Sequence, residues 1–313
     1  MPALPPPGYY VPAVTFFKAD DELDFDAIKA HVLRLAEGGV TGILCQGSNG
    51  EAQHLDHEER AEIIRFTRKT LDEAGFKDTL VIAGTGGQST RETIKLNKDA
   101  AAAGAAYALI LTPATWKPIL NKDLIVRFHR EVAEASPIPT MVYNFATVTA
   151  GLDLDSHVIA EIGTHPNCVG CKLSCGHLGK LTRLATDPSL QGNFAPFIGR
   201  SDCFLPALVM GGPGCIAATV NIAPKTHGAV YKYYKAGKLD EARNAQRILS
   251  HGDGLLSKYG GIGFIKAVVA KEFGYGIPQV RGPLASGSVE KVEKMSPQDA
   301  TALKELIDYE KSL

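Results

Sequence analysis

The sequence predicts a single (β/α)8 TIM barrel with a helical extension at its C-terminal end. Eight short apolar runs alternate with longer helical segments. Each run is continuously apolar rather than alternating in polarity, which is typical of parallel strands buried on both faces. The gaps between neighbouring runs, as far as the seventh, are long enough for a crossover helix. We therefore expect a barrel core over residues 1–223 and C-terminal helices over residues 224–313, in one structural unit.

The predicted strands and helices follow one another in a regular order. The runs that we interpret as strands are residues 11–17, 42–46, 80–85, 107–113, 138–144, 168–174, 194–199 and 214–221. Helix start signals support the segments between them. The candidate caps are Asp24 before 25–37, Asp56 with Glu59 before 58–74, and Ser89 with Glu92 before 90–103. After the eighth strand, helices are predicted over residues 224–236, 239–258, 263–273 and 297–312.

Composition and charge favour small-molecule partners. The 313 residues are 45% hydrophobic and 21% charged, which is typical of a globular enzyme-sized chain. Lysine and arginine number 33 against 34 acidic residues, so there is no basic field that would hold a nucleic acid. Residues 1–8 lack the pattern of a secretory signal or a transit peptide, and no apolar stretch is long enough to span a membrane. We expect a soluble cytosolic protein without a nucleic-acid or membrane partner.

The cysteines and histidines do not indicate a metal centre. Most of the six cysteines lie in apolar runs, which favours reduced core thiols. Cys168, Cys171 and Cys175 form a C-x2-C-x3-C cluster, but strand alternation places the first two on opposite faces. His177 offers only loose spacing for a fourth ligand. The nine histidines fall mainly on predicted helices or loops without metal spacing, and we interpret them as surface or capping residues.

Two residues at the ends of predicted strands suggest a specific chemistry. Lys172 is the one basic residue in the apolar run 168–174, and Tyr143 closes the run 138–143. Burial disfavours the ammonium form of a lysine, and the neutral amine can attack a carbonyl to form a Schiff base. Taken singly, such a lysine more often extends to the rim of a sheet or pairs with a carboxylate. A lone tyrosine is likewise usually a core or rim residue.

Other strand ends supply candidate binding groups. In such barrels the chemistry lies where strands end and the following loops begin. Ser48 and Asn49 lie in a tight turn between glycines, whose exposed backbone N–H groups suit a carboxylate. Ser174 follows the sixth strand. The sequence Gly-Thr-Gly-Gly at 84–87 is similar to half of a dinucleotide-binding motif, but the G-x-G-x-x-G spacing is missing.

In order and spacing, these motifs together resemble the family of dihydrodipicolinate synthase and N-acetylneuraminate lyase. The motifs are Gly-Ser-Asn-Gly-Glu at 47–51, Gly-Thr-Gly at 84–86, Tyr-Asn at 143–144, Gly-Cys-Lys at 170–172, and Gly-Cys-Ile at 214–216 running on to Asn221. The resemblance spans nearly the whole chain, from about residue 10 to the C-terminus. It implies a barrel with extra C-terminal helices, usually a homotetramer, that binds a keto acid and needs no metal or organic cofactor.

The resemblance also implies a role for each candidate residue. Lys172 forms the imine with pyruvate or another 2-keto acid, and Tyr143 gives and accepts the proton. Ser48 and Asn49 hold the keto-acid carboxylate, and the backbone of Ile216 lies beside the bound pyruvyl group. The protonated imine acts as an electron sink during cleavage of a carbon–carbon bond in a 4-hydroxy-2-keto acid. The same groups serve the reverse aldol addition.

Two departures from the family pattern bear on the substrate. Family synthases that use aspartate semialdehyde carry an arginine five residues after the strand-five tyrosine, where this chain has Val148, which cannot clamp a carboxylate. The tyrosine that relatives donate across a subunit interface is replaced by Ala114 and Thr115, so the proton relay is expected to consist of Ser48 and Tyr143, or to be completed by Thr115 or by water. The remaining polar groups that suit a polyol tail are Thr147, Thr149 and Ser174.

We therefore expect a class I aldolase that cleaves a 2-keto-3-deoxy sugar acid to pyruvate and an aldehyde such as glyceraldehyde. The alternatives within the family are a 4-hydroxy-2-oxoglutarate aldolase, a dihydrodipicolinate synthase and a keto-deoxy-sugar-acid dehydratase. From other classes, a flavin-dependent barrel oxidoreductase would need a basic phosphate site, for which Arg200 alone is available. A non-catalytic keto-acid sensor would keep the same pocket.

Overall fold

The computed structural model describes residues 2–190 and 192–313; Met1 and Gln191, which fall within the predicted barrel range, lie outside the described residues. Within that part of the chain, eight parallel strands close into a barrel in sequence order, and the first pairs with the last. The strands are β1 (Gly8–Pro12), β2 (Gly42–Cys45), β3 (Leu80–Gly84), β4 (Tyr107–Leu111), β5 (Thr140–Asn144), β6 (Cys168–Leu173), β7 (Ala195–Ile198) and β8 (Gly214–Ile216). The predicted fold class is confirmed.

Helices surround the barrel and continue beyond it. Those between and after the strands are α1 (Phe25–Glu37), α2 (His57–Glu73), α3 (Thr90–Ala102), α4 (Lys122–Ala135), α5 (Ser156–Gly163), α6 (Leu178–Ala185), α7 (Phe204–Val209) and α8 (Pro224–Lys235). The C-terminal extension consists of α9 (Leu239–Lys258), α10 (Ile262–Phe273), α11 (Val289–Glu293) and α12 (Pro297–Ser312). In the described residues, no helix is long and apolar enough to cross a membrane. The division of the chain at residues 223 and 224 stays a prediction.

The predicted caps explain where three of the helices begin. Ser89 accepts a hydrogen bond from the Glu92 backbone N–H at the start of α3. Asp24 accepts a hydrogen bond from the Ala27 backbone N–H at the start of α1. Asp56 and Glu59 form both halves of a capping box at α2. These contacts satisfy backbone donors that a helix cannot pair internally, which is why the sequence located these boundaries to within a residue.

The first and last predicted strands were wrong in extent. The first lies at Gly8–Pro12 rather than 11–17, because pairing with β2 and β8 fixes its register. Phe16 and Phe17 are apolar for a different reason: they pack against the C-terminal extension, where Phe16 contacts Tyr275 and Phe17 lies under Lys266. The eighth strand ends at Ile216, and residues 218–221 form a 3-10 helix instead.

Two large hydrophobic clusters make up most of the core, and Ile110, Phe128 and Val132 form a small third one. One fills the barrel interior and includes Tyr10, Phe197 and Ile216. The other lies between the strands and the surrounding helices and includes residues of α9, α10 and α12. The expectation that the histidines lie at the surface or cap helices was wrong for four of them, which are buried: His31, His129, His165 and His227. His177 does cap a helix, α6.

Candidate active site

Lys172 and Tyr143 lie side by side at the centre of the candidate active site. They are register partners on the neighbouring strands β6 and β5. The Lys172 Nζ atom lies 3.3 Å from the Tyr143 hydroxyl and 4.3 Å from the centroid of its ring. The two side chains are only 3% and 4% exposed. An amine and a phenol are therefore held within hydrogen-bond distance in a largely water-excluded site, which suits proton transfer between a bound carbonyl and the protein.

The turn that follows β2, residues 46–51 and here called the Ser48 turn, lies next to Lys172 and Tyr143. The Ser48 hydroxyl oxygen lies 3.5 Å from the Tyr143 hydroxyl oxygen, so three polar groups form a chain from Ser48 through Tyr143 to Lys172. The turn packs tightly on β3, because a Cβ atom at Gly84 would lie 1.9 Å from the backbone oxygen of Gln46. Only glycine at position 84 permits this close approach.

A buried ion pair holds the Ser48 turn from behind. Glu51 adopts the left-handed conformation with φ of 55°. Its carboxylate lies 2.5 Å from the Lys266 ammonium of α10, and both side chains are fully buried. The same carboxylate accepts hydrogen bonds from the backbone N–H of Arg281 at 3.0 Å and contacts His54. The C-terminal extension thus fixes the turn that carries Ser48 and Asn49, and these partners maintain an unfavourable backbone conformation.

Sequence reasoning missed this ion pair although a signal was present. Lys266 is the one basic residue in the apolar run 262–270, as Lys172 is in the run 168–174. The difference between them emerges only in three dimensions. Lys266 meets a carboxylate, whereas Lys172 faces a tyrosine and an open cavity.

Two adjoining cavities meet at Tyr143. The first, here called the Ser48 cavity, has a volume of about 390 Å³ and is lined by Ser48, Val148 and Leu284 among others. The second, here called the Lys172 cavity, has a volume of about 300 Å³. Asn49, Tyr143 and Phe145 line both. A keto acid bound at their junction would reach Lys172 on one side and the Ser48 turn on the other.

The wall of the Lys172 cavity carries three charged side chains. These are Lys172, Arg200 after β7, and Asp253 of α9. Arg200 makes a bidentate pair with Asp202, with distances of 3.0 and 2.6 Å, so it does not form the free basic phosphate site that a flavin enzyme would need. Asp253 accepts a hydrogen bond from the Thr219 hydroxyl at 2.6 Å. Burial raises the pKa of the Asp253 carboxyl, although the Thr219 hydrogen bond partly opposes this effect.

The structure brings most of the predicted site residues together. Lys172, Tyr143 and Ser48 are connected by short contacts, and Asn49 and Ser174 line the Lys172 cavity. Ile216 is fully buried in the barrel interior beside Tyr10 and lines neither cavity, so the suggested role of its backbone stays a prediction. Sequence reasoning missed Asp253.

Three further threonines were proposed for the site. Thr147 lines the Lys172 cavity. Thr149 lines the Ser48 cavity, but its hydroxyl bonds the carbonyl oxygens of Phe145 and Leu152 and so holds its own loop. The Thr115 hydroxyl donates to the Gln88 side chain at 2.9 Å, and Thr115 lines neither cavity. Thr149 is therefore poorly placed for substrate binding, whereas a contribution of Thr115 to the proton relay across a subunit interface stays a prediction.

The cysteines and acidic groups do not assemble into a metal site in the described part of the chain. No group of three or more His, Cys, Asp or Glu side chains there is placed to hold a metal ion. Cys168 is a buried free thiol whose pKa is raised to about 12 by burial. Such a thiol is a poor metal ligand because ligation needs the thiolate.

The closed barrel holds a buried strand-six lysine beside a strand-five tyrosine, at the strand ends where enzymes of this fold carry their chemistry. The chain belongs to the dihydrodipicolinate synthetase family, whose sequence model matches residues 6–302. A relative from Emericella nidulans, named "Probable 4-hydroxy-2-oxoglutarate aldolase, mitochondrial", is 43% identical and is aligned over 98% of this chain and 97% of its own. An L-threo-3-deoxy-hexylosonate aldolase from Aspergillus niger is 39% identical, with the same coverage.

A solved structure of a protein from the same family has a similar fold. It is YagE from E. coli K12, described as a prophage protein of the dihydrodipicolinic acid synthase family in complex with pyruvate. It superimposes with a TM-score of 0.84 at 27% identity and covers 97% of this chain and 98% of its own. Together, the fold and the relatives identify this chain as an enzyme, a carbon–carbon lyase of the class I pyruvate aldolases.

Proposed function

We propose that this enzyme reversibly cleaves a 2-keto-3-deoxy sugar acid, a hexonate, to pyruvate and an aldehyde such as glyceraldehyde. The observation that carries the proposal is the contact between Lys172 and Tyr143, at 3.3 Å beside an open cavity. The name of the Aspergillus niger relative supports the substrate class. The absence of an arginine at Val148 favours a neutral second substrate over a charged one.

The proposed reaction begins with the amine of Lys172. It attacks the C2 carbonyl of the keto acid, and loss of water gives a protonated imine. Tyr143 takes the proton from the C4 hydroxyl as the C3–C4 bond breaks, so the aldehyde leaves and the bonding electrons form an enamine. Protonation of the enamine at C3 and hydrolysis by water then release pyruvate and restore Lys172. Ser48, at 3.5 Å from Tyr143, is placed to pass the proton onward.

The two cavities suggest how the substrate is oriented. In the proposed mode, its carboxylate lies at the turn that carries Ser48 and Asn49, where the glycine-flanked backbone can donate hydrogen bonds. Its hydroxylated tail extends along the Lys172 cavity, towards Thr147 and Ser174. This orientation leaves C2 beside the lysine and C4 beside the tyrosine.

4-Hydroxy-2-oxoglutarate is the second candidate substrate. The name of the Emericella nidulans relative, at 43% identity, favours it. Its cleavage would use the same lysine and tyrosine, but the aldehyde product, glyoxylate, carries a charge. We further propose a homotetramer in the cytosol, although the name of the Emericella nidulans relative carries a mitochondrial label.

A side-by-side kinetic panel tests the substrate. We expect the highest kcat/KM for cleavage of the 2-keto-3-deoxy-hexonate, an intermediate value for 4-hydroxy-2-oxoglutarate, and the lowest for condensation of pyruvate with aspartate semialdehyde. The variant Val148→Arg adds the missing arginine directly after Thr147, which lines the Lys172 cavity where the aldehyde half is proposed to lie. It should raise the semialdehyde value about ten- to a hundredfold, since a charge-assisted hydrogen bond contributes roughly 1.5–3 kcal/mol. Fastest turnover of aspartate semialdehyde by the unmodified enzyme would refute the substrate assignment.

A further inference from the structure

Asp253 is a buried carboxylate that the proposed reaction does not use. It lies on α9, in the C-terminal extension, yet it lines the same cavity as Lys172. Its side chain is 10% exposed. A charged side chain in such a position is costly to bury unless it has partners, so its presence on this wall calls for a physical explanation.

The partners of Asp253 leave part of its hydrogen-bonding capacity unused. Its Oδ1 atom accepts the Thr219 hydroxyl at 2.6 Å. Its Oδ2 atom lies 3.9 Å from the nearest Arg200 nitrogen, which is beyond hydrogen-bond distance. An ionised carboxylate has about four acceptor sites. Asp253 can therefore accept further hydrogen bonds from a molecule in the cavity.

The cation nearest to Asp253 is already paired. Arg200 is that cation, and its guanidinium is engaged by both oxygens of Asp202. The other cation on the cavity wall is Lys172, the group that reacts with the keto acid. A hydroxyl group of a ligand next to Asp253 would donate to its free acceptor sites, whereas a carboxylate at the same place would meet a like charge.

We propose that Asp253 is the residue that selects the aldehyde half of the substrate. Its carboxylate accepts hydrogen bonds from hydroxyl groups of the tail and disfavours a tail that ends in a carboxylate. This inference rests on the proposed aldolase function and extends it, because it locates substrate selection on the C-terminal extension rather than on the barrel loops. It also gives a physical reason for the preference for hexonates over 4-hydroxy-2-oxoglutarate.

The test compares two aldehydes in the addition reaction with pyruvate. Glyceraldehyde, supplied as the racemate, is neutral and hydroxylated, and glyoxylate is small and charged. In Asp253→Asn, the ratio of kcat/KM for glyceraldehyde to that for glyoxylate should fall about ten- to a hundredfold, the change expected when a hydrogen bond to a charged group is lost. Asp240→Asn is the matched control. It makes the same substitution on the same helix, at an exposed side chain that lines neither cavity, so the ratio should stay as in the unmodified enzyme.

Two further measurements separate the possible failures. Borohydride trapping of pyruvate does not involve the aldehyde, so Asp253→Asn should trap as well as the unmodified enzyme. An unchanged aldehyde ratio in a variant that traps normally would overturn the role of Asp253 and leave the aldolase function standing. Failure of the unmodified enzyme to trap pyruvate would overturn both proposals.

A measurement on the unmodified enzyme keeps the inference testable if Asp253→Asn does not fold. Glycolaldehyde and acetaldehyde differ in one hydroxyl group. Acceptance of that hydroxyl by Asp253 predicts that addition of pyruvate to glycolaldehyde has the higher kcat/KM by about ten- to a hundredfold. Equal values would contradict the inference.

Discussion

The Glu51–Lys266 ion pair gives the sharpest prediction about stability. Because both side chains are fully buried, removal of either one leaves an isolated charge in the interior. We predict that Lys266→Met destabilises the fold strongly, and that Glu51→Gln combined with Lys266→Met destabilises it less than the two single changes would if they were additive. Each charge is therefore expected to offset the cost of burying the other, and the pair as a whole is expected to add little to the free energy of unfolding.

The contacts set the size of the effect. Breaking a buried ion pair by removing one partner typically costs about 3–5 kcal/mol. In Lys266→Met, the Glu51 carboxylate keeps the Arg281 backbone N–H at 3.0 Å and the His54 contact at 3.0 Å. We therefore expect a loss of about 3 kcal/mol in the free energy of unfolding, at the lower end of this range. In Glu51→Gln, the ammonium keeps the Gln279 carbonyl oxygen at 2.6 Å but loses its counter-charge. The interaction energy from the double-mutant cycle should lie within about 0.5–3 kcal/mol.

Urea denaturation measures these values as shifts in the midpoint with an unchanged slope. Lys304→Met is the matched control, because it makes the same substitution in an exposed ion pair with Asp308 and should leave stability unchanged. The KM for pyruvate should rise in Lys266→Met, since the pair holds the turn that carries Ser48. Equal stabilities of Lys266→Met and Lys304→Met, or strictly additive single changes, would refute the reasoning.

The remaining predictions concern proton transfer and pH. Tyr143→Phe should still form the pyruvate imine but lose at least about a hundredfold in kcat, the usual scale for a positioned acid–base group; near-normal turnover would mean that another group carries the proton. Burial lowers the pKa of His129 to about 3, so its neutral form stabilises the fold above pH of about 6.5, and this contribution is lost as pH falls from there towards 3. Between pH 6 and 5, His129→Gln should therefore flatten the decline of unfolding free energy by about 1.4 kcal/mol per pH unit, as followed by urea denaturation; parallel curves would contradict this.

The sequence predicted the barrel because its signals are local. Continuous apolar strands and side-chain caps such as Asp56 act within a few residues, and they located most elements closely. The limits of the first and last strands were predicted wrongly because they depend on pairing with neighbouring strands. Tyr10 is in β1 because it pairs with both Gly42 and Ile216, a contact that no local pattern reveals.

The residues of the candidate site that lie at the ends of strands could be predicted from the sequence. Lys172 and Tyr143 were found from their positions at strand ends, and their register then brings them together. Asp253 could not be found in this way, since it lies within α9 and reaches the site only because that helix packs against residues 218–221, which follow β8. Thr149 illustrates the opposite error, in which a residue was assigned to the site but does not serve it. Its hydroxyl is already used in hydrogen bonds to backbone carbonyl oxygens of its own loop.

The most direct test of the central claim is borohydride reduction in the presence of pyruvate, followed by peptide mapping. We predict one stable adduct, on the peptide that contains Lys172, and loss of both adduct and turnover in Lys172→Ala. Lys266→Met, which removes another buried lysine, should still give the adduct at Lys172 if the protein is folded. An adduct on any other lysine, or turnover that survives in Lys172→Ala, would contradict the assignment of this enzyme as a Schiff-base aldolase acting through Lys172.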